Sequence, residues 1–196
     1  MRLYRLAATM LVTVTVAGCT RADGIATVSS INNDIYDSAD MSREIAAKDT
    51  LVVVRGSAFG LDQRALEQAI VSDMQGAAWG PQPRLTTTPG SNVGQMWSFV
   101  MMVNGPRNVT AAALCRDPAQ APALTEALPA GEFRLVGGLC RFDKNMTEVT
   151  GRLEGVTGAD DPRVRRLIMA ATQELTTPTT ADRFLHQNDS SGSNER

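Results

Sequence analysis

Apolar and polar positions along the chain fall into segments of different period. Residues 1–18 hold one apolar run, Leu6 to Val16, behind two early arginines, Arg2 and Arg5. The run is too short to cross a bilayer, which needs roughly 20 apolar residues, and has the form of a removable export leader. From Thr20 to about Met41 the chain is rich in Ser, Asn and Asp with no sustained period, which predicts a polar tether over 19–48. Asp34, Asp37 and Asp40 within it match no calcium loop and are expected as solvated turn or cap residues. Leu51 to Val54 is a short continuous apolar run, the mark of a strand covered on both faces. Leu61 to Gln75 then places Leu66, Ala69, Ile70 and Met74 on one helical stripe, with Asp62 in the first turn and Gly76 where a C-terminal cap belongs.

The middle of the chain has the two-residue period of strands. Arg84 to Thr88 and Gln95 to Val103, separated by a turn over Pro89 to Gly94, predict a hairpin. In the second run Trp97, Phe99, Met101 and Val103 share one face, and Val100 and Met102 the other. Further strands are expected at Val109 to Cys115, Glu132 to Phe142 and Met146 to Leu153, with an Ala- and Pro-rich loop from Asp117 to Gly131. The last element is a helix. Asp161 and Pro162 supply a cap and a first-turn proline, and Val164, Leu167, Ile168, Ala171 and Leu175 trace one face before Pro178. The expectation is a single two-layer α+β domain over 49–176. It would hold a mostly antiparallel sheet of five or six strands with two main helices on one face, followed by a polar, disordered tail over 177–196.

The leader ends in Val16-Ala17-Gly18-Cys19, which resembles the lipobox of bacterial lipoprotein precursors. The resemblance implies cleavage before Cys19, a diacylglycerol on its thiol and an acylated, typically palmitoylated, new amino terminus. Several acyl chains hold a protein stably where one does not. Thr20 follows the cysteine in place of the aspartate that marks inner-membrane retention in the enterobacterial pattern, so the resemblance implies the outer membrane, with the domain in the periplasm.

That address changes the meaning of the remaining cysteines. Cys115 and Cys140 are left in an oxidising compartment, where a structural disulfide is the simplest expectation; two free thiols or a redox pair are the alternatives. Loss of Arg2 and Arg5 with the leader takes the formal net charge from −2 to about −4, which attracts no nucleic acid. The one histidine, His186, lies in the tail, so the sequence offers no Ser-His-Asp or Cys-His site and no histidine zinc site, and no cofactor motif is visible. Asp143 and Glu148 are the candidate carboxylate pair for a rival reading as a periplasmic hydrolase. Arg163, Arg165 and Arg166 form a basic group at the start of the last helix, expected as a solvated face balanced by Asp160 and Asp161.

Beyond the leader, Val54-Arg55-Gly56 with Phe59-Gly60, Trp79-Gly80-Pro81 and Thr87-Thr88-Pro89-Gly90 resemble uncharacterised lipoproteins of alphaproteobacteria, a family with no activity to transfer. The leading expectation is a non-enzymatic envelope module that binds an envelope protein, peptidoglycan or lipid partner, or assists a larger assembly, through a surface around Phe59, Trp79 and Pro81.

Overall fold

The computed structural model describes residues 26–31, 36–120 and 130–178. The chain runs through β1 (Ala26–Ile31), α1 (Ser38–Ile45), β2 (Asp49–Gly56), α2 (Gln63–Met74), β3 (Arg84–Thr86), β4 (Val93–Val103), α3 (Ala111–Arg116), β5 (Phe133–Arg141), β6 (Lys144–Leu153) and α4 (Pro162–Thr176), with a short 3₁₀ turn at Pro118–Gln120. The strands form one open sheet in the order β1-β6-β5-β4-β2-β3. Pairing is antiparallel from β1 to β4 and parallel from β4 through β2 to β3, so the α+β domain is built on a mixed sheet.

Alternation along the central strands sets the layers. Trp97, Phe99, Met101 and Val103 of β4 are buried on one face with Val52 and Val54 of β2, Phe133, Leu135 and Leu139 of β5, and Val149 and Leu153 of β6. Three helices cover that face. The α2 stripe buries Leu66, Ile70 and Met74, and the α4 stripe buries Val164, Leu167, Ile168, Ala171 and Leu175, as their spacing requires. Helix α4 approaches β6 closely because position 151 has no side chain: a Cβ on Gly151 would lie 2.6 Å from Leu167 Cδ1. Asp62 caps α2 by accepting from Ala65 N at 2.8 Å, and Asp161 caps α4 by accepting from Arg163 N at 3.0 Å.

The fold begins earlier than the sequence pattern predicts. Residues assigned to the tether form β1, paired along β6, and α1, whose Met41 and Ile45 are fully buried in the main core. The buried positions of α1 are Ser38, Met41, Ser42 and Ile45; two of the four are serine, which leaves a helical stripe without an apolar signature. Asp37 is its N-cap, accepting from Ala39 N and Asp40 N, and Asp40 pairs with Arg43 and Arg141. Asp34, Cys19, the leader and, from residue 179 onward, the expected polar tail lie outside the described residues.

Two expected strand arrangements are corrected. The hairpin of β3 with β4 does not form; both strands run parallel to β2 on its opposite sides. Three-residue β3 offers little ladder, whereas β4 pairs with β2 continuously from Leu51↔Ser98 to Gly56↔Val103. The segment expected as a strand at Val109 to Cys115 is helix α3, capped by Thr110, whose side chain accepts from Ala113 N. Three successive alanines favour helix there over strand. Helix α3 lies on the second face of the sheet, where Leu114 and Cys115 pack with Val109, Val100, Met102 and Cys140 in a smaller core. Val53 is only half-buried against that core, so β2 is fully covered on one face and partly on the other.

Cys115 and Cys140 form a disulfide with their Cα atoms 5.5 Å apart, joining α3 to β5 rather than strand to strand. Both are buried. The bridge closes a segment with a sequence separation of 25, worth about 3 kcal/mol by the chain-entropy model. The Cys115→Ala/Cys140→Ala chain is therefore expected to lose about 3 kcal/mol in urea unfolding while keeping its far-ultraviolet circular dichroism; equal midpoints for the two chains would show that the bridge carries no stability.

Candidate functional site

The candidate acidic residues lie at separate places. Register puts Glu148 opposite Gly138, and its Oε2 accepts from Ala111 N at the start of α3. Asp143 sits in the two-residue link between Arg141 and Lys144, five positions back along an extended strand, or roughly 16 Å. The fold does not bring this pair together. Asp73 on α2 is a lone partly buried acid whose pKa is pushed up by burial, an effect that Arg165 at 3.8 Å partly offsets. Among the described residues, no group of three or more His, Cys, Asp or Glu side chains could hold a metal ion.

The proposed partner surface is divided. Phe59 lies between β2 and α2, in the left-handed conformation (φ 56°), with its ring stacked on Phe133 at 5.5 Å. Trp79 and Pro81 lie beyond the other end of α2, a helix of 12 residues or roughly 18 Å, so Phe59 and Trp79 mark opposite ends of the domain. Trp79 is 45% exposed, and its backbone N–H donates to Thr176 Oγ1 at 2.7 Å. The Trp79 end holds a second exposed aromatic ring, Phe142, at the tip of the β5–β6 hairpin. Trp97 is core: its ring meets Tyr36 edge-on at 6.2 Å, and the Arg141 guanidinium lies 5.7 Å from its centroid.

At the Phe59 end, the second face of the sheet carries a cleft that sequence spacing does not reveal. It has a volume of about 280 Å³, with Met102 and Val136 as apolar lining and Arg107, Glu132, Arg134 and Arg152 as charged lining. Arg134 and Arg152 are directly opposed across the β5–β6 pair, an arrangement that repels unless a counter-charge intervenes. Glu132 is that counter-charge. Its Oε1 lies 3.3 Å from Arg134 Nε and 3.2 Å from Arg152 Nε, and its side chain is almost wholly buried. Glu154 holds the other side of Arg152 at 3.0 Å. Arg107 is exposed and has no carboxylate partner among the described residues.

Asn104 braces the rim of this cleft. Its backbone takes the left-handed conformation (φ 51°), which asparagine tolerates well. It donates from Nδ2 to Ser57 O and accepts from Arg134 N at Oδ1, tying the ends of β4 and β5 to the β2–α2 loop. The signal for both cleft and brace is long-range register, which no local pattern encodes.

The basic group on α4 is not a shared surface. Arg163 folds back on the loop before its helix, donating to both Asp161 carboxylate oxygens and to Glu154 O and Gly155 O, while Arg165 faces Asp73. No family model matches the chain, and no curated protein matches it. Among solved structures it is similar to PelC from Paraburkholderia phytofirmans in two dodecameric crystal forms. One, carrying a leucine-to-methionine substitution, shares 11% identity over 78% of this chain and 99% of that one, with a TM-score of 0.45. The other shares 9% identity over 79% and 99%, with a TM-score of 0.44.

Arg163 also sets a pH dependence. Side-chain and backbone hydrogen bonds from Arg163 hold the Asp161 carboxyl well below the usual carboxylate range, against a smaller opposing effect of burial. A folded pKa below the unfolded one stabilises the fold above the ordinary carboxylate value, and that stability is lost as pH falls through the folded value. Asp161→Asn is therefore expected to lower the melting temperature at neutral pH, with the gap to wild type narrowing below about pH 3. A gap of constant size down to strong acid would contradict this assignment.

Proposed function

We propose that the chain is a lipid-anchored lipoprotein of the bacterial envelope whose mature form begins at Cys19, and that its α+β domain is a non-enzymatic binding or assembly module held at the membrane. The observation that carries the reading is Val16-Ala17-Gly18-Cys19 at the end of a leader with Arg2 and Arg5 before a short apolar run. Two features of the domain support it. The buried Cys115–Cys140 bridge suits an oxidising compartment such as the periplasm. The charged side chains so far placed act as helix caps, strand clamps and ion pairs. Thr20 favours the outer membrane, and the partners of such a module are an envelope protein or peptidoglycan.

Lipid attachment has a direct readout. Cells grown with labelled palmitate are expected to incorporate label into the wild-type protein and not into Cys19→Ser, with wild type recovered in membranes and the variant in the soluble periplasm. Label retained by Cys19→Ser, or wild type recovered in the soluble fraction, would overturn the proposal.

A further inference from the structure

The arginine cleft on the second face of the sheet has more cation than its own acids absorb. Three guanidinium groups, from Arg107, Arg134 and Arg152, face two carboxylates, Glu132 and Glu154, and Glu132 is divided between two of them. Arg134 Nε and Glu132 Oε1 are buried and close, yet no hydrogen bond of good geometry joins them. Arg107 adds an exposed guanidinium at the mouth, beside the apolar patch of Met102 and Val136. A planar fork of donors above an apolar floor suits a tetrahedral oxyanion that bears an aliphatic substituent. The whole mature chain is acidic, so this local surplus of positive charge is not a consequence of overall composition.

Strand register fixes where the cleft lies relative to the proposed anchor. Ala26, the first residue of β1, is the Cα partner of Arg152. Cys19 is seven positions upstream, so the covalent chain limits its distance from Ala26 to roughly 25 Å. Phe59, 37% exposed and stacked on Phe133 next to Arg134 in the chain, lies at the same end of the domain. We propose that the Arg107/Arg134/Arg152 cleft binds a phosphate diester or monoester, and that its source is the headgroup of an anionic phospholipid in the membrane that holds the anchor. The proposal deepens the lipoprotein reading and rests on it for the choice of source. A lipid-anchored domain with such a cleft is held against the surface in one orientation, with the Phe59 end toward the bilayer and Trp79 and Phe142 directed away from it.

The test uses the whole mature chain with Cys19→Ser, so that binding is read without an acyl anchor. Sedimentation with vesicles of phosphatidylcholine is compared with phosphatidylcholine containing phosphatidylglycerol, and thermal shift is read with inorganic phosphate and with glycerol 3-phosphate. The expected result is binding to the anionic vesicles alone, weakened at least roughly tenfold by Arg107→Glu and further by Arg107→Glu/Arg152→Glu, and reduced by salt. Arg107 makes no ion pair among the described residues, so its variant keeps the fold; Arg43→Glu, on α1 at the far end, should bind as the parent does. Stabilisation by glycerol 3-phosphate that depends on Arg107, without vesicle binding, would keep the phosphate site and overturn the bilayer as its source. Absence of both, or vesicle binding that survives Arg107→Glu, would overturn the site. Because this chain cannot be acylated at residue 19, failure here leaves the palmitate result untouched, and failure of palmitate labelling leaves this one readable.

Discussion

Strand β4 is apolar on both faces, and that constraint organises the domain. Trp97, Phe99, Met101 and Val103 need one cover, and Val100 and Met102 need another. A strand of this kind is driven to the middle of a sheet, where it can be flanked on both edges and covered on both faces. The large face takes α1, α2 and α4. The small one takes α3, a six-residue helix with few apolar contacts to offer. A helix that short is marginal without tertiary support, and the Cys115–Cys140 bridge supplies a covalent one. The bridge therefore does for the second face what the amphipathic stripes of α2 and α4 do for the first.

What local pattern reveals follows from how local the cause is. Helix α4 is legible because cap, first-turn proline and apolar stripe all agree, and β4 because Trp97, Phe99, Met101 and Val103 recur at every second position on one face. Helix α3 is misread because Val109 to Cys115 is apolar at nearly every position, so it carries no period; alanine content and the Thr110 cap are the only signs of helix. Helix α1 escapes because serines occupy half of its buried face. The mistaken β3–β4 hairpin has a different origin. Nearness in sequence favoured it, but β2 is the more apolar neighbour and takes the place between them.

Function divides along the same line. The proposed address rests on four consecutive residues, Val16-Ala17-Gly18-Cys19. The arginine cleft is assembled from the loop after β4, the start of β5 and the end of β6, and appears only once Arg134 and Arg152 are in register. The surface expected around Phe59, Trp79 and Pro81 joined residues close in sequence that α2 holds apart. Separating them gives the domain two distinct ends. One carries Phe59 and the arginines near β1; the other carries the exposed rings of Trp79 and Phe142.

Under the proposed reading one cysteine holds lipid and the other two hold each other. Intact mass of the protein extracted from membranes, before and after reduction and alkylation, tests both halves at once. The expected result is a chain beginning at Cys19 with added acyl mass, in which Cys115 and Cys140 take up alkylating agent only after reduction. A chain of unmodified mass, or two thiols alkylated without reductant, would contradict it.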